Sequence, residues 1–291
     1  MLNALTVDVE EYFHPAEVHL HLGETAWACL PARAEYQVNR ILDVFDNHHI
    51  KATFFVLGWV AEHHPALIHE IASRGHEIGC HSYSHQMVYR MTPAEFQEDT
   101  RRAVAAIENA CAVRPLAYRA PSYSITKESL WALEILIENG FHYDSSIYPI
   151  DHDRYGIPGF SRHPTTLVTP SGPILEIPIA TVRVRGKIMP IGGGGYLRLL
   201  PYRYTAAGIR RVNNIEEKPV CIYFHPWEID PAQPRLAFKL VSRLRTYTGI
   251  AGMESKVERL LTEFSFAPLT AVFHESPADL PSEAYACASG V

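Results

Sequence analysis

Cysteine is scarce in this chain of 291 residues: five, at Cys29, Cys80, Cys111, Cys221 and Cys287, widely spaced and with no C-x-x-C pair. That excludes a disulfide framework and a zinc ribbon, and it suits free thiols in a reducing compartment. No run of about 18 apolar residues occurs, so no transmembrane helix is expected. The N-terminal MLNALTVDVEEYF lacks a basic region and carries acids from Asp8 onward. No signal peptide is expected, and a cytoplasmic location follows as the expectation. Positive charge is in short supply: the net charge of -6 gives nucleic acid or an anionic membrane no bulk electrostatic support. The glycine run Gly192–Gly195 is not followed by Gly-Lys-Ser/Thr, so it is no phosphate loop. With 47% hydrophobic and 20% charged residues, the chain is neither disordered nor fibrous.

What the chain has in excess is histidine, 16 residues. Imidazole is the commonest metal ligand and a frequent acid–base catalyst, so placement decides which histidines carry chemistry. Short apolar runs alternate with amphipathic stretches. Ala4–Val9, Ala52–Leu57, Glu77–Cys80, Leu116–Tyr118, Phe141–Tyr143, Ile174–Ile177, Val220–Phe224 and Leu269–Phe273 read as strands. Tyr36–His49, Pro65–Arg74, Thr126–Asn139, Tyr204–Glu216 and Glu254–Phe264 read as helices. Thr92-Pro93-Ala94-Glu95 is a capping box opening another helix, to about Ala112. Strands separated by helices predict an α/β fold with a parallel sheet, and about seven such units suit a (β/α) barrel. Residues 1–275 are expected to form one domain, with a Gly/Pro-rich, loop-rich insertion near 151–201 and a flexible tail over 276–291.

Polar groups recur at the predicted C-terminal strand ends, where barrel sites are built. Asp8 and Glu10 alternate with Val7 and Val9, so both carboxylates face one way. His81 and His85 follow the strand Glu77–Cys80, and H-x-x-x-H spacing converges on one metal if the segment makes a helical turn. Arg119 stands at a strand end before Pro121 and Tyr123, where it can clamp a carboxylate or simply face solvent. Asp144 follows Tyr143, and His225 closes an apolar strand ahead of Pro226 and Trp227. Trp227 and Tyr123 are candidates to stack on sugar rings, with core packing an equal competitor for Trp227. His152, in Asp151-His152-Asp153, reads as substrate binding or plain solvation rather than as a second metal site.

Taken one at a time these motifs are ambiguous, but their order is not. Asp-x-Glu, His-x-x-x-His, Arg-x-Pro-x-Tyr, Asp-x-Ser and an apolar strand ending in His resemble the pattern of NodB-type polysaccharide deacetylases (carbohydrate esterase family 4). ATFFVLG, GHEIGCHSYSH and YRAPSYS are similar in wording as well as order. HDRYGIP, GGGYLRLLPY and FHPWEIDPAQPR resemble the subgroup found in exopolysaccharide loci linked to exosortase systems. The resemblance implies a distorted (β/α) barrel of about seven strands, a divalent metal (usually zinc) and hydrolysis of N-acetyl groups on an N-acetylated glycan. It implies Asp8 as base, Arg119 as the cation holding Asp8 ionised, and Glu10, His81 and His85 as metal ligands. It further implies Tyr123 as oxyanion donor beside Pro121, His225 as acid, and Asp144 as the group orienting His225. Two features depart from the family pattern. Val9 stands where a second adjacent aspartate is usual, so Glu10 takes the ligand role with Glu11 as its rival. The family's tryptophan after the fourth motif is missing, with Tyr148 the nearest aromatic. Two alternatives stay open: a metal-independent amidohydrolase of the same fold acting on a small cyclic amide or ureide, and a non-catalytic sugar-binding module.

Overall fold

A computed structural model describes residues 1–15, 18, 24–152, 154–236, 238, 240–274 and 282–284. The chain divides into two compact units. The first holds Met1–Phe54, Ser73–Glu77 and Ala180–Val272; the second holds Phe55–Ala72, Ile78–Ile179 and Phe273–Val291.

In the first unit, β1 (Leu2–Val9) is buried from Asn3 onward, its polar Asn3, Thr6 and Asp8 included. Two of its buried polar residues bond to neighbouring segments. Asn3 exchanges hydrogen bonds with Asn213 and accepts from the Val220 N–H, and Thr6 donates to the Ile222 carbonyl. Helix α1 (Ala34–Asn47) buries Val38, Ile41, Leu42 and Phe45 along one stripe. It begins two residues ahead of the predicted Tyr36, because the buried Glu11 carboxylate accepts the Arg33 and Ala34 N–H groups and so caps the helix from a distance. Strand β2 (Thr53–Val56) passes from this unit into the second.

The second unit carries helices α2 (Gly58–His63) and α3 (Pro65–Ser73, which returns the chain to the first unit) and strand β3 (Glu77–Cys80). Gly58 is required at the start of α2: a Cβ there would meet the Ala103 Cα at 2.7 Å. Helix α4 (Pro93–Cys111) opens with the expected Thr92–Glu95 capping box. Then come β4 (Ala117–Tyr118), α5 (Ala132–Glu138), β5 (Tyr143–Asp144), β6 (Thr165–Thr169) and β7 (Gly172–Glu176). Strands β3, β4, β5 and β7 pair in that order, all parallel, with β6 antiparallel on β7.

The remainder of the first unit holds the hairpin β8 (Thr181–Val184) and β9 (Lys187–Pro190), then α6 (Gly195–Leu199), α7 (Tyr202–Asn214) and β10 (Cys221–Phe224). Helices α8 (Leu240–Tyr247) and α9 (Met253–Glu263) follow, then β11 (Ser265–Ala267) and α10 (Leu269–Val272). Strands β10 and β11 both pair parallel with β1. A last strand, β12 (Ser282–Ala284), pairs with β6 in the second unit.

The α/β reading with a parallel sheet therefore holds, and three elements differ from expectation. Leu269–Phe273 was short enough to read as strand, yet Leu269–Val272 is a helical turn and the strand lies just before it. Thr126–Asn139 breaks into a 3-10 turn (Lys127–Ser129) and α5. Residues 151–201 contain β6 to β9, more regular structure than their Gly and Pro content suggested. Of the 276–291 tail, all but 282–284 lies outside the described residues. Among the described residues no helix is long and apolar enough to cross a membrane.

One buried histidine in the first unit is structural. His76 accepts the Ala52 N–H at its Nδ1 (3.2 Å) and packs edge-on against Phe54. Burial, aided by the Lys51 and Arg74 cations, pushes its pKa down from 6.5 to about 4. The fold therefore holds the neutral ring, while the unfolded chain takes a proton below about 6.5. Stability from this group is lost as pH falls through that window, at about 1.4 kcal/mol per pH unit. Urea unfolding of wild type and His76→Asn at pH 7 and pH 5 is expected to show the wild-type advantage shrinking by about 2 kcal/mol. An unchanged difference would show that His76 titrates normally.

Candidate active site

In the first unit the site grows from the ends of β1 and β10. Asp8 and Glu10 are 2% and 1% exposed, on the side opposite Val7 and Val9. His225 follows β10 with its Nε2 3.7 Å from Glu10 Oε1 and 4.0 Å from Asp8 Oδ2. Trp227 donates its indole N–H to Glu10 Oε1 (2.9 Å) and stacks on the His225 ring. Glu11 is spent on capping α1, so it is not a rival to Glu10.

The other face of His225 meets a carboxylate that sequence reasoning missed. Glu228 Oε2 lies 3.0 Å from His225 Nδ1 and also accepts the His225 backbone N–H (3.1 Å). Its second oxygen accepts from Arg198 Nε at 3.0 Å, and both side chains are almost fully buried. Arg198 is fixed in turn by the carbonyls of Arg245 and Thr248. The orienting carboxylate on His225 is therefore Glu228, a correction to the assignment of Asp144. Burial works against a charged His225, but the carboxylates of Glu10, Glu228 and Asp8 outweigh it and push its pKa up to about 9. Burial likewise opposes ionised Glu228, yet His225 and Arg198 hold its pKa below the ordinary value.

In the second unit, β3 delivers His81 and His85, 2% and 5% exposed, with ring centroids 5.4 Å apart. The expected helical turn is absent: Ser82 and His85 adopt positive φ (68° and 55°). The loop is tied instead to Asp99 of α4. That carboxylate accepts the Ser82 hydroxyl (2.6 Å), the Tyr83 N–H (2.8 Å), the Ser84 N–H (3.0 Å) and the Ser84 hydroxyl (2.5 Å). Asp99 left a sequence signal, an acid inside the buried stripe of Phe96, Thr100, Ala103, Val104 and Ile107. His81 donates Nδ1–H to the Arg119 carbonyl (2.7 Å), which presents Nε2 as a ligand atom.

Arg119 is fully buried, against the solvent-facing alternative. It donates to the Ser145 carbonyl (3.3 Å) and hydroxyl (3.0 Å) and lies over the Phe55 ring. Asp144 accepts from the Ser146 hydroxyl and pairs with buried Glu176. Burial pushes both carboxyls up, Asp144 to about 6 and Glu176 well above its ordinary value. After Pro121, Ser122 and Tyr123 both sit at φ 53°. The Tyr123 N–H already donates to the Ala120 carbonyl (3.1 Å), which argues against it as the oxyanion donor. Tyr123 packs on Tyr148, Tyr148 lies parallel to Tyr155, and His152 stacks on Tyr155 at 3.8 Å. His152 is half-buried in this aromatic group.

Glu10, His81 and His85 each offer one ligand atom, and these atoms lie within 4.8 Å of one another. One carboxylate and two imidazoles, all buried, with His81 oriented through its other nitrogen, fit the donor chemistry of a divalent cation.

Comparisons with known proteins agree in kind. A family model described as Polysaccharide deacetylase matches residues 32–141, and one described as Domain of unknown function (DUF3473) matches residues 145–274. A peptidoglycan deacetylase of Helicobacter pylori is 30% identical over 121 residues, 42% of this chain and 40% of that protein. A chitooligosaccharide deacetylase of Bradyrhizobium is 36% identical over 97 residues, 33% of this chain and 42% of that protein. The chain thus spans about two fifths of the length of these relatives. A solved structure from Mycobacterium smegmatis carrying the polysaccharide deacetylase name aligns with a TM-score of 0.67 at 21% identity, over 98% of this chain and 93% of that one. At that identity the likeness shows the fold, a NodB-type distorted barrel.

Proposed function

We propose that this chain is a polysaccharide deacetylase of the NodB type (carbohydrate esterase family 4) that removes N-acetyl groups from an N-acetylated polysaccharide or its precursor, leaving acetate and a free amino sugar. The observation that carries the reading is the buried Glu10–His81–His85 donor set. A divalent cation held there, zinc by the donor types, supplies Lewis-acid polarisation of the acetamide carbonyl and acidification of water.

The chain's own residues supply the rest. Asp8, buried at the end of β1, takes the proton from the attacking water. Arg119 is the cation assigned to keep that base ionised. The Ser122 N–H, one residue before the engaged Tyr123 N–H, is the donor for the developing oxyanion, with Pro121 setting the turn. His225 delivers its Nε2 proton to the leaving amine, and Glu228 keeps Nδ1 protonated and the ring aimed. The half-buried His152–Tyr155 stack beside Tyr148 is suited to sugar contact. The DUF3473 match suits an exopolysaccharide intermediate as the substrate.

The reading is tested by acetate release from N-acetylated glycans (chitin oligomers, peptidoglycan fragments and exopolysaccharide intermediates) in the presence of zinc. Wild type is expected to release acetate, and Asp8→Asn to be slower by about 100-fold or more. Tight glycan binding with no acetate from any of them would turn the reading toward a sugar-binding module.

A further inference from the structure

The overall negative charge conceals a local reversal. Residues 180–272 hold 14 Lys or Arg against seven Asp or Glu, an excess of seven positive charges in a chain of net -6. The imbalance is sharpest after the active-site motif: between Asp230 and Glu254 there is no acid, and Arg235, Lys239, Arg243 and Arg245 all fall there. A second acid-free stretch, between Glu176 and Glu216, carries Arg183, Arg185 and Lys187 at the tip of the β8–β9 hairpin.

The same stretch exposes large apolar side chains. Leu240 and Leu244 of α8, one turn apart on one face, are 68% and 55% exposed. They are not on a loose end. The Leu236 N–H donates to the Tyr247 hydroxyl (2.8 Å), Phe238 packs on the Tyr247 ring, and the Arg235 guanidinium lies over that ring. Arg235 and Arg243 are themselves exposed. The hairpin repeats the theme, with Val184 and Met189 exposed among its three cations.

Basic residues flanking exposed leucines on a short amphipathic helix match an anionic bilayer surface. The cations meet lipid phosphates and the leucines enter the headgroup–acyl boundary. A nucleic acid or an anionic glycan would use the charge but leave the leucines in water. We propose that α8, with Arg235 ahead of it, docks this chain reversibly on an anionic phospholipid surface, through Leu240 and Leu244 with Arg235 and Arg243 beside them. Because Arg198 grips the Arg245 and Thr248 carbonyls while holding Glu228, the docked helix is hydrogen-bonded to the group that orients His225.

The test is flotation of the whole chain with phosphatidylcholine vesicles, with and without about one third phosphatidylglycerol. The expected result is co-flotation only with the anionic vesicles, lost at about 1 M salt. Leu240→Ser/Leu244→Ser and Arg235→Glu/Arg243→Glu are each expected to weaken binding about tenfold or more. A Leu240→Trp reporter, whose fluorescence is expected to shift to the blue and be quenched by brominated lipid tails, checks insertion without removing any interaction partner. Wild type that stays with neither vesicle, or a double-leucine variant that binds as tightly as wild type, overturns the proposal. So does a reporter that brominated tails do not quench.

Discussion

Glu228→Gln is expected to slow acetate release from N-acetylated sugars by about 100-fold while hydrolysis of 4-nitrophenyl acetate stays within a few-fold of wild type. The contrast follows from the leaving groups. An amine departs only with a proton, which His225 must deliver, whereas 4-nitrophenolate departs as the anion. Glu228 bonds His225 at Nδ1 and at its backbone N–H, so it acts through the histidine as a positioning residue. The variant also leaves the Arg198 charge without its carboxylate, a cost of about 3–5 kcal/mol for a buried pair. Retained ester hydrolysis separates the two effects, because a misfolded site would lose both reactions. Steady-state rates on both substrates make the measurement. Equal losses on both would reduce Glu228 to a structural role.

The second large effect concerns the donor set. His81→Ala/His85→Ala removes two of three ligands and leaves a lone buried carboxylate, which holds zinc weakly. Bound metal is expected to fall from about one per chain to none. Acetate release is expected to fall about 1000-fold, the rate equivalent of roughly 4 kcal/mol of lost Lewis-acid assistance. The loop should persist in this variant, since Asp99 anchors it through Ser82, Tyr83 and Ser84 rather than through either histidine. A loss of metal with an unchanged unfolding curve is therefore the expected pairing.

Much of this arrangement is legible in the sequence because period-two alternation on β1 fixes which side Asp8 and Glu10 face, and because short buried strands end where their apolar runs end. The choice between Glu10 and Glu11 was not legible. It depends on where α1 starts, some twenty residues away, and on which carboxylate its free N–H groups claim. The convergence of His81 and His85 was predicted for the wrong local reason: a loop tied to Asp99 does the work assigned to a helical turn.

Glu228 illustrates a signal present but unused. His225-Pro226-Trp227-Glu228 has the same arrangement as Thr92-Pro93-Ala94-Glu95: a cap residue, proline at the first helical position and glutamate two further on. In both places the glutamate carboxylate reaches back and accepts the backbone N–H of the cap residue. Reading the second as a cap would have placed the Glu228 carboxylate back at His225. Arg198, thirty residues earlier, left no local mark, since only tertiary packing brings it to Glu228. Charge patterning taken over the whole chain likewise hid the basic stretch after Asp230, because acids elsewhere cancel it.

The most direct test of the metal-dependent account is zinc content measured beside acetate release, for wild type and for His81→Ala/His85→Ala. The account predicts about one zinc per wild-type chain, none in the variant, and acetate release that falls with the metal. A variant that binds no zinc yet releases acetate at the wild-type rate would contradict it.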